Sequence, residues 1–244
     1  MSATNLPRLT PAQIEQYGRD GYTLVKQPLF APDKFARLRA IFEESLAREG
    51  SSGMDMIHTR DARLLEFLLS PEVLDLIEPV VGPNIGLWAS HFISKDPFAG
   101  KATPWHEDSS YWNGQVSTME RICTVWLAID EATKENGCMA VIPGTQRGGF
   151  SEYEAVDTEG NIFPSQIKAD QVDEAKAVYF ELKPDECSLH EARIIHGAQA
   201  NTSDKRRAGY TLRYFPTTSK VLAADHPLWL ARGVDVAGNV YENV

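Results

Sequence analysis

The chain is expected to be mainly β with N-terminal helices, a double-stranded β-helix or jelly roll buttressed by α-helices. Two patterns predict this. Up to about residue 80 the apolar residues recur at helical spacing; from Ile85 onward they fall in short alternating or continuous runs divided by Pro- and Gly-containing turns. Helices followed by a series of strands fit a sandwich or barrel with its helices packed outside, and a jelly roll is one such architecture. Size agrees: 244 residues, 43% hydrophobic and 24% charged, suit one domain with a substantial core. With no repeat, low-complexity tract or Pro/Gly-rich linker, residues 1–244 read as a single domain. Residues 1–84 are the helical support, 85–220 the jelly-roll core and 221–244 a C-terminal tail.

The elements follow in order. Thr10-Pro11-Ala12-Gln13 places a capping threonine before a proline, with Gln at the capping-box position, so a short helix starts here and stops near Gly21. The β-favouring run YTLV at 22–25 is a brief strand. Residues 32–48 form a second helix whose apolar face is Phe35, Leu38, Ile41, Phe42 and Leu46. Residues 61–80 read as another helical stretch. Six strand-like segments then follow: GLWASHFISK, RICTVWLAID, CMAVIPGT, AVYFEL, ECSLHEARIIHG and RAGYTLRYFP.

Composition narrows the class of function. A formal charge of -10 gives no electrostatic footprint for nucleic acid or an anionic membrane surface. The three cysteines, Cys123, Cys138 and Cys187, have no zinc spacing and do not form an even set, which fits a reducing cytoplasm. The N-terminus has no basic stretch followed by an apolar run, so no signal peptide is expected, and no segment is long and apolar enough for a membrane helix. The expectation is a cytoplasmic monomer or homodimer acting on a small-molecule substrate.

Six histidines are present, and one stands in Pro104-Trp105-His106-Glu107-Asp108. On an extended strand residues i and i+2 share a face, so His106 and Asp108 can offer an imidazole and a carboxylate to one metal while Glu107 points elsewhere. A second imidazole completes the two-His-one-carboxylate face of non-haem Fe(II) oxygenases, which leaves coordination positions open. His196 is the best candidate, after a β-branched run and before the QANTSD loop. The plainer readings are a turn-capping Asp108 and a satisfied core His106. Downstream runs His196-Gly197-x-x-x-Asn201-x-Ser203-x-x-x-Arg207. An arginine on the following strand can grip a dicarboxylate through a paired, charge-assisted fork that lysine cannot reproduce. Arg206 faces the opposite side of that strand, and spacing alone leaves open which of the two does so.

Together these segments resemble the phytanoyl-CoA dioxygenase superfamily of Fe(II)/2-oxoglutarate oxygenases, whose core is a cupin-like jelly roll. The resemblance covers nearly the whole chain. It runs from LTPAQIEQYGRDGYTLVKQPLFAPDKFARLRAIF through WHED and VWLAIDEATKENGCMAVIPGTQRGG to HGAQANTSDKRRAGYTLRYFP and PLWLARGVDVAGN. It implies that His106, Asp108 and His196 ligate Fe(II), that Arg207 rather than Arg206 pairs with 2-oxoglutarate, and that Trp126 lines the cosubstrate site. O₂ is the second cosubstrate, with succinate and CO₂ released. A carboxylate at 108, where halogenating relatives need a small residue, points to hydroxylation, desaturation or ring formation. Two positions depart from the family's habit. Ala198 stands where Ser is common, removing one hydroxyl contact to the cosubstrate. Glu107 stands where Gln is common, to meet a cationic substrate group or simply to face solvent.

Further candidates are weighed on the residues. His91 lies on a strand and either lines the cosubstrate pocket or is structural. Arg213 shares strand parity with Arg207, and so contacts an anionic ligand group or forms a salt bridge within the sheet. Trp112, with Tyr111 and Asn113, follows the ligand pair closely and is expected in the substrate wall. His190-Glu191 is not a zinc-protease motif, because Ile194 stands where HExxH needs histidine. Residues 50–60 and 148–170 read as loops, one of them a lid over the site or else a plain surface insertion. Two other readings stay open: a cupin-type iron oxygenase that does not use 2-oxoglutarate, and a non-catalytic binding relative.

Overall fold

The computed structural model describes residues 7–243. Helix α1 (Pro11–Asp20) begins where the capping box predicts, with Thr10 Oγ1 accepting from the Gln13 amide and the Gln13 side chain returning to Thr10. Strand β1 (Tyr22–Val25) and helix α2 (Pro32–Glu49) also match expectation. The stretch at 61–80 differs: it is a 3₁₀ turn (Ala62–Leu64) leading into α3 (Leu65–Leu68), then a break, then α4 (Pro71–Val81). Pro71 causes the break. Its ring pushes Ser70 into extended backbone (ψ 146), and its missing N–H suits the first turn of a new helix.

The strands are β2 (Ile85–Lys95), β3 (Thr103–His106), β4 (Cys123–Ala128), β5 (Met139–Val141), β6 (Tyr153–Ala155), β7 (Ser165–Ile167), β8 (Val178–Tyr179), β9 (Cys187–Glu191), β10 (His196–Ala198), β11 (Arg207–Pro216) and β12 (Trp229–Arg232). A five-residue helix, α5 (Asp108–Trp112), follows β3. All named pairings are antiparallel. One sheet has the order β1-β9-β4-β11-β2-β12 and faces a second with the order β3-β10-β5-β8; β6 and β7 form a separate hairpin. The run at 186–197, read as one segment, is two strands in different sheets, turning after Glu191. Residues 221–244 include β12, which extends the larger sheet beside β2. Among the described residues no helix is long and apolar enough to cross a membrane.

The larger sheet has two unlike faces. Cys123, Val125, Leu127, Leu189, Tyr210 and Leu212 pack with α2 and α4 in the main core. Their neighbours in sequence, Thr124, Trp126, His190, Thr211 and Arg213, line a cavity between the two sheets. This is strand alternation with a helical layer on one side and, on the other, a chamber lined by both polar and aromatic side chains. Phe42 of α2 is fully buried, its ring 5.2 Å from Phe92 on β2, with the Arg206 guanidinium 5.0 Å away over the same ring. Phe42→Ala is expected to destabilise the fold by about 3–5 kcal/mol in equilibrium denaturation; a loss below about 1 kcal/mol would show that α2 does not anchor the sheet.

Candidate active site

The centre of the cavity is built by strand pairing. In the smaller sheet β10 runs beside β3, and His196 lies directly opposite His106. Their rings are 4.1 Å apart, centre to centre. Glu107 is extended (φ -123, ψ 134), so Asp108 returns to the face of His106 as expected. The strand itself ends at His106, however, and Asp108 starts α5. His196 likewise opens β10 instead of closing a run. One ligand atom from each of His106, Asp108 and His196 lies within 4.8 Å of the others.

The donor set fits a metal. His106 Nδ1 sits 2.8 Å from the Pro104 carbonyl and His196 Nδ1 3.0 Å from the Ile194 carbonyl. A carbonyl only accepts, so each Nδ1 carries the proton and each Nε2 is left with a free lone pair. Burial, and after it the neighbouring His196, push His106 down to about 3; burial pushes His196 down to about 4, against the pull of Asp108. Both imidazoles are therefore neutral near pH 7. Burial opposes the charge on Asp108, yet Arg213 first and then His196 and His106 hold its carboxyl well below the usual carboxylate range. Two neutral imidazoles and one carboxylate on one side, with open space on the other, are the donors of a facial iron site.

Two turns hold this arrangement in place. At Pro143-Gly144-Thr145 the Thr145 hydroxyl donates to the Ile142 carbonyl (2.7 Å) and accepts the Ile195 N–H (2.9 Å), pinning the residue before His196. At Asn136-Gly137 the Asn136 side chain accepts from Thr133 N–H and donates to Glu131 O. Gly137 has φ +79, and a Cβ there would lie 2.3 Å from Gln199 O. Its carbonyl accepts from both Nε (2.9 Å) and Nη2 (2.6 Å) of Arg207. Arg207 is buried, lies 5.3 Å from the Trp126 ring, and lines the cavity with it. Trp126 packs over Gly209, where a Cβ would fall 2.2 Å from its ring. Arg206 points outward and pairs with Asp130 and Glu43. Downstream of His196, Asn201 donates to the Lys95 and Lys205 carbonyls and accepts from Ser203, which orders the loop leading to Arg207.

The cavity has a volume of about 680 Å³ and also takes in His91, Trp112 and Arg213. Arg213 Nε lies 3.5 Å from Asp108 Oδ2, and Thr124 Oγ1 lies 3.4 Å from the same oxygen. The guanidinium of Arg213 stands 5.7 Å from the Trp112 ring. His91 Nδ1 is 3.4 Å from Asp55 at the mouth. Asn113 is not among the lining residues, whereas Tyr111 is.

Glu107 departs from both expectations for it. It is 1% exposed and meets neither solvent nor the cavity. Oε1 accepts the Ser151 N–H (2.7 Å) and Oε2 the Ser109 hydroxyl (3.0 Å), because the extended backbone that turns His106 and Asp108 inward turns Glu107 towards the segment leading into β6. Residues 148–170 are accordingly a hairpin, β6–β7, tied to the ligand strand, and its connection sends Ile162 and Phe163 into the cavity. Residues 50–60 form two 3₁₀ turns bonded to β2 through Met56 N–H to Ser90 O, and Met56 and Asp55 reach the cavity.

Sequence reasoning missed His190 and Thr124. His190 is buried 5.0 Å from the His196 ring, and neither ring nitrogen has a hydrogen-bond partner among the described residues. Strand parity carried the signal for Thr124, two residues before Trp126 on β4. Nothing comparable marked His190 until β9 was placed beside β4.

A family model described as "Phytanoyl-CoA dioxygenase (PhyH)" matches residues 17–209. A "Probable phytanoyl-CoA dioxygenase" of Caenorhabditis elegans is 27% identical over 212 residues, covering 83% of this chain and 67% of the relative. Among solved structures, "non-heme monooxygenase; ThoJ apo" superposes with TM-score 0.75 at 22% identity, covering 95% of this chain and 87% of that one. EvdO2 from Micromonospora carbonacea var. aurantiaca, complexed with 2-oxoglutarate, gives TM-score 0.72 at 22% identity, covering 91% and 96%. These two structures share the fold.

Glu107→Ala leaves the Ser151 amide and the Ser109 hydroxyl without their partner, at a cost of about 1–3 kcal/mol. Faster hydrogen exchange over residues 151–155 is the expected result. Unchanged protection there would mean that Glu107 does not tie the hairpin down.

Proposed function

Given that this chain belongs to the phytanoyl-CoA dioxygenase family of iron(II)- and 2-oxoglutarate-dependent oxygenases, we propose that it hydroxylates an unactivated C–H bond of a free small molecule, with His106, Asp108 and His196 as the iron ligands. The convergence of those three donors, all within 4.8 Å of one another, carries the reading. Iron(II) bound there supplies the chemistry by which O₂ is activated while 2-oxoglutarate is converted to succinate and CO₂.

The remaining residues bind and orient. Arg207 grips the far carboxylate of 2-oxoglutarate. Two of its nitrogens are fixed on the Gly137 carbonyl, so it presents its outer Nη edge, preset in direction, to the cosubstrate. Trp126 forms a wall of that subsite, and His91 stands further along the same sheet face. Arg213 and Thr124 hold one oxygen of Asp108 and leave the other for the metal. Trp112, Trp88 and Met56 make an apolar wall for the substrate, and the β6–β7 hairpin is the lid that keeps water from it. The buried, unpaired Cys123, Cys138 and Cys187 fit a reducing cytoplasm.

Asp108→Ala is expected to abolish succinate formation from 2-oxoglutarate. It should also weaken Co(II) binding in calorimetry by more than the roughly 10–100-fold that loss of an outer-shell partner costs. Wild-type metal affinity in that variant would contradict the ligand assignment. Arg207→Lys should weaken 2-oxoglutarate binding about tenfold or more with Co(II) affinity unchanged. Equal affinity for the cosubstrate would remove Arg207 from the site.

A further inference from the structure

Two aromatic rings stand against the ligand set without a part in the reaction above. The ring of His106 lies 5.2 Å from that of Phe163 and 6.0 Å from that of Tyr111, both edge-on, and the Tyr111 and Phe163 rings are 5.6 Å apart. All three side chains line the same cavity as Asp108 and His196. Tyr111 follows Asp108 by one turn of α5, so its position is fixed in the frame of the ligands, whereas Phe163 comes from the β6–β7 connection. The cavity's indoles are engaged otherwise: Trp126 lies against Arg207, and Trp112 lies against Trp88 and Arg213. Tyr111 is 45% exposed, and its phenol makes it the more electron-rich ring of the pair beside His106.

Resting on the reading of His106, Asp108 and His196 as the iron ligands, we propose that Tyr111 is a modification site of its own enzyme. When O₂ and 2-oxoglutarate are consumed with no substrate in the cavity, a ring C–H ortho to the Tyr111 hydroxyl is hydroxylated. The ring C–H becomes C–OH, giving a catechol. One atom of O₂ enters the ring and the other enters succinate as 2-oxoglutarate loses CO₂, so the two electrons taken from the C–H bond and the two from the 2-oxo acid reduce O₂ fully and no further reductant is needed. A bound substrate covers Tyr111 and takes the oxygen in its place. The side chain is thus a sacrificial target that spends an unproductive turnover.

The test is a mass measurement on the full chain. Protein incubated with Fe(II), 2-oxoglutarate and O₂, with no substrate, is digested with trypsin, and the peptide spanning 102–121 is fragmented. One added oxygen on Tyr111 is expected, its amount rising with the succinate formed. It should be absent under nitrogen, absent when N-oxalylglycine replaces 2-oxoglutarate, and absent from Asp108→Ala. Succinate formed without oxygen on Tyr111 overturns the proposal and leaves the iron site standing. Oxygen confined to Trp105, Trp112 or Met119 of that peptide, or to Phe163 in the tryptic peptide spanning 148–168, does the same. A protein that binds no Fe(II) or Co(II) at all overturns both.

Discussion

The site depends on one strand pairing. His106 and His196 are far apart in sequence, and they meet because β10 lies antiparallel to β3 with these two residues as Cα partners. Side-chain direction alternates along a strand, so a slip of one residue would send His196 to the other face of the sheet. The register is held from outside the pair. Thr145 clamps Ile195 one residue before the histidine, and the Asn201–Ser203 loop fixes the chain after it. Each ring is then oriented by a backbone carbonyl two residues upstream. The same device on both histidines leaves two lone pairs aimed into one space beside Asp108.

The larger sheet supplies the other half of the chamber and the reason the helices exist. A sheet with one apolar face must bury it, and α2 and α4 do so with Phe42, Leu38, Leu74 and Ile77. The opposite face is then free to carry Thr124, Trp126, Arg207 and Arg213, groups that a plain sandwich core would not tolerate without partners. Arg207 illustrates the compromise. It is buried, its charge is opposed by burial, and the Gly137 carbonyl takes two of its donors. What remains of its fork lines the chamber, and on the proposed function the far carboxylate of 2-oxoglutarate completes it.

Much of this was legible in the sequence, and for identifiable reasons. The N-terminal helix and first strand follow from local chemistry at Thr10, Pro11 and Gln13 and from a β-branched run. The jelly roll follows from the change of apolar period near Ile85. The QANTSD loop after His196 was legible as a turn-forming stretch, whereas the bond from Asn201 to the Lys95 carbonyl and that from Arg207 to the Gly137 carbonyl join distant parts of the chain. Failures came where a residue's environment is tertiary. Glu107 was expected to meet either a cationic substrate group or solvent, and only the fold brings Ser151 to it. The segment at 186–197 gave no warning that it turns from one sheet to the other, since Ala192, Ile194 and Ile195 are as apolar as a continuous strand. The break before Pro71 was readable, because Ser70-Pro71 repeats the logic of Thr10-Pro11; there the helical period outweighed a signal that was present.

Iron and cosubstrate binding at one point is the claim on which the rest stands, and it has a direct optical signature. Under anaerobic conditions, Fe(II) and 2-oxoglutarate together should give a visible charge-transfer absorption that neither gives alone, as expected for a 2-oxo acid chelated to a ferrous ion. That absorption should vanish in His196→Ala. A wild-type protein that binds both components without producing the band, or a His196→Ala protein that keeps it at full strength, would contradict the account.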